Sequence, residues 1–164
     1  MGKMGARELN YSSDIDLVCL FDDSRYPDQG HEVRAAFIRV TRRLAAVMSD
    51  TTQDGYVFRT DLRLRPDAAV TPVCISASAA LTYYETVGQN WERAAMIKAR
   101  PVAGDIAAGE RFLDLLQPFV YRKYLDFGAL EGLREMKSLI AAEVARKDLA
   151  DDIKRGPGGI REIE

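Results

Sequence analysis

Two aspartates one residue apart, Asp14 and Asp16, sit between Ser12-Ser13 and the apolar run Leu17-Val18-Cys19-Leu20-Phe21. On a strand, where side chains alternate with a period of two, both carboxylates leave the same face. Neighbouring carboxylates repel each other, so such a pair is costly as plain structure unless a cation lies between them. Hard oxygen donors suit Mg²⁺, which keeps waters and bridges to phosphates. A third acid lies in Arg59-Thr60-Asp61-Leu62-Arg63, a second strand-like stretch. Three carboxylates on adjacent strands could hold divalent ions, position a triphosphate and activate an attacking oxygen. The period of two also puts Arg59, Asp61, Arg63 and Arg65 on one face. Taken alone, that stretch reads equally well as a salt-bridged strand surface; with the upstream pair, the metal site is the better reading.

Several elements must position these acids. Asp14-Ile15-Asp16 leading into Leu17–Phe21 has the pattern of a strand, and a turn-rich loop through Asp22, Asp23, Pro27, Asp28 and Gly30 follows it. From Glu32 to about Met48, Val33, Ala36, Phe37, Val40, Leu44 and Val47 recur at three and four, predicting an amphipathic helix with Arg34, Arg39, Arg42 and Arg43 outward. Tyr56 to Leu64 alternates as a second strand after the Asp54-Gly55 turn. Val73–Ser76 is a brief third strand, with Ser76 or Ser78 capping the next helix. Helical segments are expected over Trp91–Arg100, Asp105–Leu116 and Ala129–Lys147, the last with a stripe of Leu130, Leu133, Met136, Ile140 and Val144. The expected fold class is α/β (α+β): a small mixed sheet with flanking helices, then a helical segment. Residues 1–104 form the core, 105–150 a helical extension and 151–164 the start of a following helical domain.

The 164 residues, 47% hydrophobic and 29% charged, suit one soluble globular domain. Leu17–Phe21 is too short to cross a bilayer, and Lys3, Arg7 and Glu8 interrupt any signal-peptide core. A net charge of −2 argues against non-specific nucleic-acid binding. Cys19 and Cys74, in apolar surroundings, read as buried thiols of a reducing compartment, so a cytoplasmic location is expected. Met1–Gly5 runs almost at once into a strand, and Gly156-Pro157-Gly158-Gly159 opens a turn before Ile160–Glu164. The chain therefore reads as a fragment.

Residues 2–17, Gly-Lys-Met-Gly-Ala-Arg-Glu-Leu-Asn-Tyr-Ser-Ser-Asp-Ile-Asp-Leu, resemble the signature of the glutamine synthetase adenylyltransferase/adenylyl-removing family, within the DNA polymerase β-like nucleotidyltransferase superfamily. The resemblance continues through Asp61-Leu62-Arg63-Leu64-Arg65-Pro66, Asn90-Trp91-Glu92-Arg93 and Ile97–Asp105. It extends over Pro118–Asp126, Leu133–Lys137 and Asp152–Glu164, which covers essentially the whole chain. It implies a nucleotidyltransferase fold with Asp14, Asp16 and Asp61 as catalytic Mg²⁺ ligands, and Gly5 and Ser13 in the phosphate-approach region, although Ala6 stands where Gly or Ser is usual. It further implies glutamine synthetase as protein substrate, ATP/ADP and phosphate as small-molecule partners, and the PII signal protein as regulator. The later stretches resemble the amino-terminal half, which removes AMP from a tyrosine of glutamine synthetase by phosphorolysis. The forward, ATP-using half and a non-catalytic nucleotide- or partner-sensing module are the alternatives.

So many acids and phosphates need balancing cations, which makes Arg63, Arg65, Lys98 and Arg100 candidates for nucleotide or phosphate contacts. Pairing with Asp61, Glu92 or Asp105 is the other reading of these four. Trp91 is expected to pack in the core rather than to stack on a base, and Tyr83-Tyr84 to serve helix packing. His31 reads as an exposed residue at a helix start.

Overall fold

In the computed structural model, which describes residues 1–11, 13–121, 127–147, 152–154 and 156–160, the stretch after Asp14 is two strands rather than one. β1 (Ile15–Asp16) and β2 (Cys19–Phe21) are separated at Leu17-Val18, where the chain exchanges one partner for another. β3 (Thr60–Asp61) pairs with β1, setting Ile15 opposite Thr60 and Asp16 opposite Asp61. β4 (Cys74–Ser76) pairs with β2, setting Cys19 opposite Cys74. Both pairings are parallel and therefore need crossovers, and a long helix over Gly30–Ser49 lies within the crossover of each. Of the expected Tyr56–Leu64 strand, Thr60–Asp61 alone joins a ladder. Its ends are extended by the Ile15 N–H to the Arg59 carbonyl and the Leu17 N–H to the Asp61 carbonyl, both 2.9 Å. The strand stops there because the Arg63 N–H folds back onto the Asp61 carboxylate at 2.8 Å, a local bond that competes with the ladder.

A short helix, α1 (Gly2–Ala6), stands where the sequence suggested no element before the first strand, and it ends at Arg7 in the left-handed region with φ 63°. The long helix α2 spans Gly30–Ser49. Its buried face is Val33 and Thr41, with Phe37 and Ile38 packed against the same cluster. Val40, Leu44 and Val47, expected on the buried stripe, are exposed, Val40 by 62%. The contact that selects the face is aromatic: Phe37 stacks on Phe21 with ring centroids 5.2 Å apart, and Tyr26 meets Phe37 edge-on. Cys19 and Cys74 share the Thr41 hydroxyl as a hydrogen-bond partner, and burial pushes both thiols up. Cys74 is buried and Cys19 half-buried, both packed in the smaller apolar cluster.

α3 (Ala77–Thr86) is capped by the Ser76 hydroxyl, which accepts from the Ala79 N–H at 3.3 Å. α4 (Asn90–Met96) opens on a capping box between Gln89 and Glu92. α5 (Ile106–Val120) is capped by Asp105, whose carboxylate accepts from the Ala108 N–H at 2.9 Å. An exposed ion pair from the Arg25 guanidinium to the Asp105 carboxylate, 2.5 Å, ties this turn to the loop after β2. The larger core cluster joins Ile75, Ala80, Tyr84, Met96 and Leu116, with Leu20, Leu64, Phe112 and Phe119 around it. It packs α3, α4 and α5 against the strands in a compact unit, Met1–Lys123. A second unit, Tyr124–Glu164, contains α6 (Phe127–Arg146), where Met136 and Ile140 are half-buried and Val144 buried as the expected stripe requires. Ser12, Arg155 and residues 122–126, 148–151 and 161–164, with the side chains of Leu130 and Leu133, lie outside the described residues.

Candidate active site

The register of β1 and β3 brings the expected acids together at the level of the backbone. Asp16 and Asp61 are direct neighbours across the parallel pair, and Asp14 lies two residues before Asp16. The side chains of Asp14 and Asp61, however, are held by arginines. The Arg59 Nε donates to Asp14 Oδ1 at 2.5 Å, with both side chains about half exposed. Arg63 grips Asp61 through Nε at 3.0 and 2.9 Å and through Nη2 at 2.5 Å. This guanidinium holds the Asp61 carboxyl below the usual carboxylate range, and Asp61 in turn raises Arg63. Asp14 likewise raises Arg59. Among the described residues no three His, Cys, Asp or Glu side chains gather as a metal cage. Carboxylate oxygens are the kind of donor Mg²⁺ takes, and two of the three carboxylates, on Asp14 and Asp61, are engaged by arginines.

The glycines of α1 make a joint rather than an open loop. A Cβ on Gly5 would lie 2.9 Å from the Lys98 carbonyl carbon and would overlap its oxygen. The Gly5 N–H already donates within α1, to the Met1 carbonyl at 2.9 Å. The expected close approach of backbone to phosphate is thus, here, a close approach of α1 to Lys98. A Cβ on Gly2 would run into the Asp16 carboxylate, so α1 also lies against the acid pair. Arg100 holds this arrangement from beneath, donating Nε to the Gly5 carbonyl at 3.0 Å and Nη2 to the Met4 carbonyl at 3.0 Å.

The other cations separate by role. Lys98 Nζ lies 4.0 Å from a Glu8 carboxylate oxygen, a loose exposed pair at the edge of the same region. Arg65 leaves the face that the period of two assigned to it, since the strand ends at Asp61. Its guanidinium donates to the carbonyls of Leu62 at 2.8 Å, Ala68 at 2.9 Å and Thr71 at 3.0 Å, tying the loop that follows β3. Ser13 closes the turn before β1, its hydroxyl donating to Asn10 Oδ1 at 2.6 Å. Beyond this loop a cleft of about 330 Å³ opens between Phe21, Pro66, Val70, Pro72 and Tyr83; Asp14, Asp16 and Asp61 do not line it.

Glu92 was visible in the sequence only as a partner for arginines; it is instead buried, 1% exposed. Its Oε2 accepts from the Tyr83 hydroxyl at 3.0 Å and the Gln89 N–H at 2.8 Å, while Oε1 has no hydrogen-bond partner among the described residues. Burial pushes this carboxyl up. Because Glu92 takes the inward position on α4, Trp91 is turned out and 42% exposed, correcting the core packing expected for it. The Gln89–Glu92 capping box was the sequence signal that could have found it. Tyr84 is buried among Phe119 and Tyr83, its phenol raised by desolvation and its hydroxyl without a hydrogen-bond partner among the described residues.

A family model described as glutamate-ammonia ligase adenylyltransferase matches residues 1–115, which hold α1, the four strands and all of these acids and arginines. The chain belongs to this family. A second model, described as GlnD PII-uridylyltransferase, matches residues 134–164. Relatives of the adenylyltransferase family that align with the whole chain include proteins of Mesorhizobium japonicum and Rhizobium meliloti, each 55% identical, and of Xanthomonas campestris pv. campestris, 53% identical. Each is described as a bifunctional glutamine synthetase adenylyltransferase/adenylyl-removing enzyme. The chain spans 17% of the length of the first two and 18% of the third. The adenylyltransferase relationship agrees with the mixed α/β architecture and its small parallel pairings. No helix among the described residues is long and apolar enough to cross a membrane.

Proposed function

We propose that this chain is the catalytic core of a nucleotidyltransferase acting on glutamine synthetase, and specifically of the adenylyl-removing reaction. The observation that carries the reading is the register setting Asp16 beside Asp61, with Asp14 two residues earlier, in a member of this family. Its place in the amino-terminal part of the relatives supports the removing half over the forward one.

In this reaction an oxygen of inorganic phosphate forms a bond to the adenylyl phosphorus. The bond from phosphorus to the tyrosine oxygen breaks, and that oxygen takes up a proton, so ADP and free tyrosine result. The leaving phenol has an ordinary pKa near 10, about three units above neutral pH, so charge accumulates on its oxygen in the transition state. Asp14, Asp16 and Asp61 would hold Mg²⁺, which supplies Lewis-acid stabilisation of the phosphate and phenolate oxygens. Arg59 and Arg63 flank β3 on either side, paired with Asp14 and Asp61, and their planar forks are of the kind that receives non-bridging phosphate oxygens. Arg100 and Gly5 hold α1 on Asp16, and Arg65 keeps the following loop closed. The PII signal protein is the regulator proposed for the longer protein, and the cytoplasm its location.

The test is incubation of adenylylated glutamine synthetase with the chain, inorganic phosphate and Mg²⁺, following ADP. Phosphate-dependent ADP that disappears in the Asp14→Asn, Asp16→Asn double variant supports the reading. Transfer of AMP from ATP to unmodified glutamine synthetase, without ADP release from the modified form, would assign the forward reaction instead. Neither reaction from the folded chain would sink the catalytic reading.

A further inference from the structure

The cleft beside the loop after β3 lies apart from the acids and has no part in the proposed reaction. Its floor consists of the buried side chains of Phe21, Ile75 and Pro66. Each is fixed by a contact outside the cleft. Phe21 stacks on Phe37, Ile75 belongs to the larger core cluster, and the Pro66 carbonyl accepts from the Thr71 hydroxyl at 2.5 Å. Pro72 and Tyr83 add flat apolar faces. A cavity built this way exists before any ligand arrives, so little binding energy is spent on forming it.

The hydroxyls around the cleft are already engaged. Thr71 also donates to the Asp67 carbonyl at 2.9 Å, Ser76 accepts from the Ala79 N–H at 3.3 Å, and Tyr83 donates to Glu92 at 3.0 Å. Arg34 differs from them. It lines the cleft from α2, is exposed, carries the single charge of the lining, and makes no hydrogen bond or ion pair among the described residues.

We propose that this cleft binds a small organic monoanion, an apolar ring or branched chain bearing one carboxylate, with the carboxylate on the Arg34 guanidinium. The planar fork matches a carboxylate, and one unpaired cation balances one negative charge where a phosphate dianion would keep an excess. A nucleobase would meet hydroxyls that are already engaged and would bury unsatisfied nitrogens, which is costly. At about 30 Å³ of liquid volume per water, the 330 Å³ of the cleft holds roughly ten non-hydrogen atoms. A ligand there touches α2, β4, α3 and the loop after β3 together. The site stands independently of the reading of the acids.

Phenylacetate, a ring with one carboxylate of that size, is the probe, and phenylacetamide is its uncharged counterpart. Each is titrated into the ¹⁵N-labelled chain, following the amide signals of Phe21, Arg34, Val70, Ile75 and Ala79. Phenylacetate is expected to move these signals saturably, and phenylacetamide to bind about threefold to tenfold more weakly, the range from an exposed ion pair to a charge-assisted hydrogen bond. Arg34→Gln is expected to reduce phenylacetate to the level of the amide. Ala79→Phe, at an exposed position on the cleft wall, is expected to weaken both probes by filling the space. Equal binding of the two probes to the wild type would overturn the anion recognition. Shifts that do not saturate, or that map away from these residues, would overturn the site. Inorganic phosphate moving the same signals as strongly would overturn the apolar body, and ADP doing so would make the cleft a nucleotide site instead. The wild-type titrations decide the matter even where a variant folds poorly.

Discussion

Replacing Gly5 by Ala tests the joint on which α1 rests. The new Cβ would sit 2.9 Å from the Lys98 carbonyl carbon and inside the contact distance of its oxygen. Both partners are backbone, so no flexible side chain can give way, and α1 or the Lys98–Arg100 segment must shift. Overpacking of this kind costs about 1–3 kcal/mol. The shift also strains the Arg100 bonds to the Met4 and Gly5 carbonyls, which are charge-assisted and contribute roughly 1.5–3 kcal/mol each when lost outright. Against this, Ala gains about 1 kcal/mol over Gly in a helix. With the Arg100 bonds only loosened, the net expectation is a loss of about 2–3 kcal/mol. Urea unfolding followed by circular dichroism is the assay, and that loss lowers the midpoint by roughly 1–2 M at a slope ordinary for this chain length. A Gly5→Ala chain as stable as wild type, or more stable, would mean that helix propensity outweighs the contact and that α1 is not docked on Lys98.

Three further outcomes are expected. Glu92 has a raised carboxyl, so the folded state holds its proton more tightly than the unfolded state, and its contribution to stability falls as pH rises from the ordinary carboxylate value to the raised one. Glu92→Gln should therefore gain on wild type as pH increases from 4 to 7 in urea midpoints; a gap that stays constant with pH would show that Glu92 does not titrate in that window. Arg65→Ala leaves the carbonyls of Leu62, Ala68 and Thr71 without their donor and should cost about 1–3 kcal/mol while exposing residues 62–72 to limited proteolysis. Unchanged cleavage there would show that the loop is held by other contacts. Ser76→Ala removes the cap of α3 and should cost about 1 kcal/mol in the same unfolding assay, with no loss meaning that another group takes the Ala79 N–H.

A common face for Asp14 and Asp16 could be read from the sequence because strand periodicity is local, whereas the placement of Asp61 beside Asp16 is fixed by the register of β1 and β3. The Ser76 cap could be read for the same reason, since a cap acts within three residues, whereas Asp105, expected inside its helix, caps it instead. What could not be read were partners set by distant backbone. Arg65 and Arg100 were expected to meet phosphate or carboxylate, and both donate to carbonyls whose positions depend on loop closure and on α1 docking. Glu92 and Trp91 exchanged their expected places because a capping box and the Tyr83 hydroxyl can satisfy a buried acid, whereas residue type alone sends the acid outward. The division at Leu17-Val18 was hidden because an apolar run looks the same whether its ladder has one partner or two.

The pairing of Ile15 with Thr60 and of Asp16 with Asp61 joins segments far apart along the chain through strands of two residues each. Such contacts are slow to form, since the intervening loop loses its entropy before the pairing returns anything. The three acids thus do not exist as a group in the unfolded chain, and any ion that needs them together binds only the folded form. By mass action that ion shifts the folding equilibrium toward the native state, by about 2.7 kcal/mol at a hundred times its dissociation constant. Magnesium in the refolding buffer would then act as a thermodynamic ligand of the fold, and the melting temperature of this chain would report occupancy of its acids without any substrate present.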